Sequence, residues 1–154
     1  MSQPGGGRQQ LQELSEQLQA IEEEQDQLQA TIQQLQNEKG DIDEAIEGLD
    51  ELESGDEVKV PIGGGAYVPA EVGDIEEVVV GLGAGYAAER DRDDAIETLE
   101  HRKDTIDDRI ESVREELSEL ESEADQLEQQ AQQAQQQMVQ QLQQQQGGPD
   151  LGGE

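Results

Sequence analysis

A glycine-rich stretch, Gly83-x-Gly85-x-x-Ala88, is the first candidate for chemistry in this chain. It follows the apolar run Val78–Val80, and in that position it matches the fingerprint that binds a dinucleotide pyrophosphate between a strand and a helix. That fingerprint requires a second parallel strand after the helix, with an acid at its end. One unbroken heptad pattern follows here instead, and Asp104 lies within it. The sequence therefore disfavours dinucleotide binding, and we interpret the glycines as tight hairpin or barrel packing.

The other polar candidates for a metal site or a catalytic site are weak. Asp41 and Asp43 begin like a calcium loop, but Ala45 and Ile46 stand where an EF-hand needs an oxygen ligand and a glycine. His101 is the only histidine, it falls on the outer face of a helical pattern, and there is no cysteine. Paired carboxylates abound on solvated helix faces, without the cleft that separates catalytic pKa values. The sequence therefore predicts a protein that is not an enzyme, with no metal site, no catalytic residue and no cofactor.

Composition restricts the kind of fold that these residues can build. The chain has 154 residues, of which 31% are hydrophobic, and it contains neither Phe nor Trp. Large aromatic side chains supply much of an ordinary core, so two interpretations remain: disorder, or elongated helices that bury a narrow seam. The net charge of -30, from 39 acidic against 9 basic residues, disfavours nucleic acid and anionic membranes as partners.

The acidity also suggests the solvent in which the chain folds. Such a chain repels itself at low salt, whereas in about 1 M salt the Debye length falls to about 3 Å and the repulsion largely vanishes. We therefore expect a host with a very salty cytoplasm. The first residues, MSQPGGGRQQ, lack the apolar segment of a signal peptide, and no apolar run is long enough to span a membrane. The expected location is the cytoplasm.

Residues 9–53 and 92–142 each carry a heptad pattern that is typical of a coiled coil. In the first, the a positions are Leu11, Leu18, Gln25, Ile32, Lys39, Ile46 and Glu53, and the d positions are Leu14, Ile21, Leu28, Leu35, Ile42 and Leu49. In the second, the a positions are Ile96, Lys103, Ile110, Leu117, Ala124, Ala131 and Met138, and the d positions are Leu99, Ile106, Val113, Leu120, Leu127, Ala134 and Gln141. The remaining positions are mostly Gln, Glu and Asp, which predicts a solvated outer face.

Two lysines, Lys39 and Lys103, interrupt the a positions of these patterns. A polar residue at a can fix the register of a coiled coil at some loss of stability. The alternative is that each lysine buries its methylene stem and extends its ammonium into water. The sequence by itself favours the second interpretation.

The segment 56–88 between the heptads predicts up to four short strands in two β hairpins. Apolar and β-branched residues flank the triple glycine Gly63–Gly65, and a second apolar run precedes the Gly83–Gly85 stretch. Two-stranded hairpins are marginal alone and their edges need partners, so this segment predicts an oligomer built on β pairing. The expected assembly residues are Val58, Val60, Ile62, Tyr67, Val68, Val78, Val79, Val80, Leu82 and Tyr86.

The resulting fold class is α+β, mainly α. An antiparallel two-helix coiled coil is joined at its base by two β hairpins that form a barrel on oligomerisation. The expected register places Leu11 opposite Ala134 and Leu49 opposite Ile96. Residues 1–8 and 143–154 are expected to be disordered, because both segments are rich in glycine.

The strings VPIGGGAYV (Val60–Val68) and VVVGLGAGYAAER (Val78–Arg90) resemble the two hairpins of alpha-class subunits in the prefoldin family. The resemblance implies a hexamer of two alpha-type and four beta-type subunits, with paired β barrels and six arms around a cavity. It also implies an ATP-independent holdase, a chaperone that keeps non-native proteins from aggregating. Such proteins, the clients, would be passed to a group II chaperonin.

Within this resemblance, loosely paired arm tips are the expected place of client binding. The candidate contacts are Leu11, Leu14, Leu18, Ala131, Ala134, Met138 and Leu142. The alternative is that all of them are seam residues and nothing more. Two other functions remain open: a structural or tethering coiled coil without clients, and an enzyme with a helical arm whose site is the glycine-rich loop.

Overall fold

Along the chain, a long helix is followed by two small β hairpins and then by a second long helix. The computed structural model describes residues 4–152, and their side chains from residue 7 to residue 144. The elements are α1 (Pro4–Glu51), β1 (Glu57–Gly63), β2 (Ala66–Glu71), β3 (Val78–Gly83), β4 (Tyr86–Arg90) and α2 (Arg92–Gly152). This order confirms the predicted mainly helical fold with two hairpins between the helices.

The chain divides into two compact units. We call Met1–Ile32 with Ser112–Glu154 the helical unit, and Gln33–Glu111 the hairpin unit. Each long helix contributes residues to both units. We call residues 7–18 and 131–144 the chain-terminal end of the helical unit.

The helices extend further toward both chain ends than the sequence predicts. Residues 4–8 and 143–152, which we expected to be disordered, are helical, while α1 ends at Glu51, two residues before the predicted limit. Proline is tolerated in the first helical turn, and glutamine is a good helix former, so the segments that flank each heptad continue the helix. Residues 1–3 and 153–154 lie outside the described residues.

Buried side chains in the helices follow the predicted heptads, except that Ala95, at a g position, is buried as well. In the helical unit, Leu14, Ile21, Val113 and Ala134 are buried. In the hairpin unit, Ile42, Leu99, Ile106 and Ile110 are buried. Full burial of a Leu or Ile side chain stabilises a fold by about 1.5–3 kcal/mol, so these rows are the main source of stability in each unit.

Contacts between the helices agree with the predicted antiparallel register. In the helical unit Gly7 faces Met138, which is the pairing that puts Leu11 opposite Ala134. In the hairpin unit two ion pairs, Lys39–Asp107 and Lys103–Asp43, match the predicted register to within one residue. The lysine ammoniums therefore do more than extend into water, which was the interpretation that the sequence favoured.

The junctions of the helices with the hairpins are held by local hydrogen bonds. The Asp91 carboxylate accepts a hydrogen bond of 2.8 Å from the backbone N–H of Asp94 and so caps the first turn of α2. The Arg92 guanidinium donates to the Leu52 carbonyl at 2.6 Å, just beyond the end of α1. This bond satisfies an acceptor that the helix leaves without an intrahelical partner.

Each hairpin is an antiparallel pair with the same turn. Val60 lies opposite Val68 in the first hairpin, and Val80 lies opposite Ala88 in the second. The turn residues Gly64 and Gly65 have φ of 60° and 80°. The equivalent residues Ala84 and Gly85 have φ of 52° and 81°. Positive φ at both central residues is the type I′ geometry that matches the twist of the strands.

Candidate interaction surfaces

The second hairpin is fixed to the helices of the hairpin unit. Val80, in β3, is only 5% exposed. The Arg102 guanidinium of α2 donates a hydrogen bond to the Gly81 carbonyl in the same strand. An open groove of about 400 Å³ lies beside β3, and its lining includes Leu49 from α1, Leu52 just beyond α1, and Leu99 from α2. This strand therefore has a fixed place against both helices.

The faces of both hairpins display apolar side chains to solvent. Tyr86 is 74% exposed and Ile62 is 66% exposed. Seven of the ten predicted assembly residues are exposed in this way: Val60, Ile62, Tyr67, Val68, Val79, Leu82 and Tyr86. Val58 and Val78 are half-buried, and Val80 packs within its own chain. Contiguous exposed apolar side chains on strands with open edges are typical of an interface between proteins.

The chain-terminal end of the helical unit places the predicted client contacts in three environments. Leu14 and Ala134 are buried in the seam. Leu11, Leu18, Ala131 and Met138 are half-buried at a positions of the heptads. Leu142 is 55% exposed, outside the seam. The structure therefore brings six of the seven residues together along one seam and leaves the seventh in solvent.

Sequence reasoning missed one exposed apolar residue at this end. Val139 is 48% exposed and lies three residues before Leu142, on a helix face that otherwise consists of glutamine. The heptad assigns Val139 to an outer position, where a β-branched apolar residue has no packing role. That mismatch was the signal available in the sequence. Val139 lines an open groove of about 390 Å³ together with Gln132, Gln135, Gln136 and Gln140.

A glycine makes room for the methionine of this end. A Cβ atom added to Gly7 would lie 2.9 Å from Met138 Cγ and 3.0 Å from Met138 Sδ. Contacts this short do not occur between real side chains, so Met138 lies against the α1 backbone because residue 7 has no side chain. Small residues at Gly7, Ala131 and Ala134 bury little apolar area, so we expect this part of the seam to open more readily than the parts lined by Leu and Ile.

The remaining candidates for chemistry have structural explanations. Ala84 and Gly85 form the turn between β3 and β4, so the glycine-rich stretch does not lead into a helix as dinucleotide binding requires. His101 is exposed, and its Nε2 lies 3.7 Å from Glu97 Oε1. Across the described residues, no group of three His, Cys, Asp or Glu side chains is placed to bind a metal ion. No helix in the described part of the chain is long and apolar enough to cross a membrane.

Comparison with known proteins assigns the family of this fold. The family model for prefoldin subunits matches residues 21–137, which include most of both helices and both hairpins. The chain belongs to the prefoldin family. The family assignment agrees with the hairpin strings that first suggested it.

Several curated prefoldin relatives come from halophilic archaea. Prefoldin subunit alpha of Halorubrum lacusprofundi is 55% identical over 100 residues, which are 65% of this chain and 66% of that protein. Prefoldin subunit alpha of Halobacterium salinarum is 57% identical over 105 residues, 68% of each chain. The match to the Halorubrum protein thus spans slightly less than two thirds of its length. The halophilic origin of these relatives agrees with the salty host cytoplasm that the acidity of the chain predicts.

A solved prefoldin structure shares the fold. The cryo-EM structure of filamentous PFD from Methanocaldococcus jannaschii superposes with a TM-score of 0.52 and 24% sequence identity. The superposition covers 77% of this chain and 95% of that one. Prefoldin is a family of chaperones rather than of enzymes.

Proposed function

We propose that this chain is the alpha-type subunit of an ATP-independent holdase that binds unfolded proteins in the cytoplasm and passes them to a group II chaperonin. The observation that carries the proposal is that solvent-exposed apolar side chains occur in two separate regions of the chain, which differ in their surrounding groups. One set lies on the hairpins, on strands with unpaired edges. The other lies at the chain-terminal end of the helical unit, among uncharged glutamines.

The hairpins are proposed to build the oligomer. Two alpha-type and four beta-type subunits would pair their strands into barrels, and the exposed side chains of the hairpins would form the barrel interiors. This arrangement is supported by the two separate two-stranded sheets, whose outer edges have no strand partner within the described chain. Closing such edges against other subunits removes unpaired backbone groups and buries apolar area.

The chain-terminal end of the helical unit is proposed to bind clients. Val139 and Leu142 are available without any rearrangement. Leu11, Leu18, Ala131 and Met138 would add partly exposed area, whereas Leu14 and Ala134 would contribute only where the helices separate locally. Methionine suits irregular partners because its thioether side chain is flexible and polarizable.

Client holding is tested by aggregation without nucleotide. A chemically denatured enzyme is diluted into multi-molar KCl with or without this chain assembled with a beta-type partner, and light scattering is followed. The proposal predicts suppressed scattering at near-stoichiometric assembly in the absence of ATP. Unchanged scattering from an assembly of confirmed mass would contradict client holding and would favour a structural coiled coil.

Assembly through the hairpins is tested by mass. Val79→Glu combined with Tyr86→Glu places two carboxylates at exposed positions of the second hairpin, and we expect loss of the hexamer in native mass spectrometry. Gln17→Glu with Gln19→Glu adds the same charge to the exposed face of α1 and is the matched control. A hexamer that survives the hairpin substitutions as it survives the control would contradict the proposal.

A further inference from the structure

The charges of this chain are distributed very unevenly. All 39 acidic residues lie within residues 13–128 and 150–154. Residues 129–149 contain no Asp, Glu, Lys, Arg or His, and Arg8 is the only charged side chain among residues 1–12. The Gly7–Met138 contact brings the uncharged segment and the segment with a single charge together at the chain-terminal end of the helical unit. This end is therefore nearly neutral in a chain whose net charge is -30.

The uncharged surface has a defined shape on the outer face of α2. We call Gln132, Gln135, Gln136, Val139 and Gln140 the glutamine patch. Their spacing of three and four residues puts them on one helix face, where they line the groove of about 390 Å³. All of them are exposed, and Leu142 is exposed beyond them. The polar outer positions of residues 129–144 are all glutamine, whereas the outer positions elsewhere in the two helices mix glutamine with carboxylates, a difference that helix packing does not explain.

Carboxamides and carboxylates differ in what they can bind. A glutamine side chain has an N–H₂ donor and a C=O acceptor, whereas an ionised carboxylate only accepts. An unfolded polypeptide exposes backbone N–H and C=O groups that need partners. A row of carboxamides can satisfy both kinds of backbone group without regard to the sequence of the bound segment, while Val139 offers apolar contact.

The charge of an unfolded segment determines whether the acidic surface of the chain repels it, so that only this patch can bind it. The carboxylates of residues 13–128 attract basic segments and repel acidic ones, and at low ionic strength that repulsion reaches far beyond contact distance. In about 1 M salt the Debye length is about 3 Å, so only local charges matter. An acidic segment then meets no local repulsion at the glutamine patch.

We propose that the glutamine patch binds extended, acidic segments of unfolded polypeptides through carboxamide hydrogen bonds to the backbone and apolar contact with Val139. The proposal rests on the client-holding function proposed above and adds the class of client. It further implies that binding of acidic segments strengthens as salt rises, whereas binding of basic segments to the acidic surface weakens.

The test uses fluorescence anisotropy of two labelled, unstructured peptides with the full-length chain in its assembly. Both peptides share the same apolar residues, and one carries glutamates where the other carries lysines. The first variant combines Gln132→Glu, Gln135→Glu, Gln136→Glu and Gln140→Glu. The matched control combines Gln17→Glu, Gln19→Glu, Gln27→Glu and Gln29→Glu, which are exposed on α1 and add the same charge.

In multi-molar KCl we expect the first variant to bind the acidic peptide about tenfold more weakly or worse, as the loss of one or two net hydrogen bonds requires. The control should stay close to the unsubstituted chain. A second variant with the four patch glutamines changed to alanine keeps the helix and adds no charge, and it should lose the acidic peptide as well.

The outcomes separate this proposal from the function on which it rests. If the unsubstituted assembly holds denatured protein but both patch variants bind the acidic peptide normally, the glutamine patch is not the site and client holding stands. If the unsubstituted assembly holds neither denatured protein nor peptide, both proposals fail. If the patch variants change the mass of the assembly, the patch is a contact between subunits, which overturns the proposal.

Discussion

Lys39 Nζ lies 2.6 Å from Asp107 Oδ1, and Lys103 forms the reciprocal pair with Asp43 across the same two helix segments of the hairpin unit. Each lysine occupies an a position of its heptad, and each aspartate lies four residues after the lysine of its own helix. The hydrogen bond from Lys103 to Asp43 is the main cause of the raised pKa of that lysine. A shift of one helix by a heptad would separate both pairs, so together they favour one antiparallel register.

Charge reversal should show this pairing directly. We expect Lys39→Asp to destabilise the chain and the added Asp107→Lys to restore part of the loss. Because both side chains are partly solvated, the coupling should be about 0.2–1 kcal/mol and smaller in high salt. A double-mutant cycle from chemical unfolding measures it, and Lys59→Asp on β1 serves as a control for the change of net charge. Two independent, additive losses would contradict the pairing.

The two hairpin turns offer a matched test of backbone strain. Ala84 has φ of 52°, which L-residues rarely adopt, whereas Gly64 occupies the equivalent place at φ of 60° with open space around it. We expect Ala84→Gly to stabilise its hairpin and Gly64→Ala to destabilise the other, each by about 1 kcal/mol. Thermal unfolding in fixed salt measures both. Changes of the same sign in the two variants would show that the turns do not share this geometry.

Glycines within α1 should respond to substitution according to what faces them. Gly40 has nothing within 4 Å of an added Cβ, so Gly40→Ala should stabilise the helix by about 1 kcal/mol. Gly7→Ala should gain less, because the new methyl group would displace Met138. Oxidation of Met138 by peroxide, followed by mass spectrometry, should be faster in Gly7→Ala than in Gly40→Ala. Equal rates would contradict the close contact between Gly7 and Met138.

The net charge of -30 makes a further prediction about salt. Repulsion among the carboxylates is long-ranged in dilute buffer and largely screened in about 1 M salt, so the helical content should be low in dilute buffer and recover in multi-molar KCl. Circular dichroism measures the recovery. Sucrose is the control, because it favours the folded state through exclusion from the surface and screens no charge. Equal helicity in dilute buffer and in KCl would refute the prediction.

Periodic features of this fold could be predicted from the sequence, and isolated ones could not. The heptad repeats predict the helices and the buried positions within them, among which are Leu14, Ile21, Ile42 and Ile106. The glycine strings likewise predicted hairpin turns. The left-handed conformation of Ala84 could not be predicted, because alanine has no local preference for it and the hairpin register imposes it.

Side-chain pairing across the helices was beyond sequence reasoning for a different reason. An ion pair depends on register to within one residue, and the predicted register differs by one residue from the one that pairs Lys39 with Asp107 and Lys103 with Asp43. The lysines were therefore recognised at a positions, but their aspartate partners were not. The heptad pattern predicts which residues are buried and does not predict which outer residues bind a partner. The exposure of Val139 was therefore missed, although the sequence shows an apolar residue among glutamines.

The most direct test of the central claim is site-specific photocrosslinking in the assembled complex with a denatured client. A photoreactive amino acid replaces Leu142 at the chain-terminal end of the helical unit or, in a second variant, Val79 on the second hairpin. We expect client adducts from position 142 and adducts to neighbouring subunits from position 79. Client adducts from position 79 with none from position 142 would contradict the division of labour between the helical end and the hairpins.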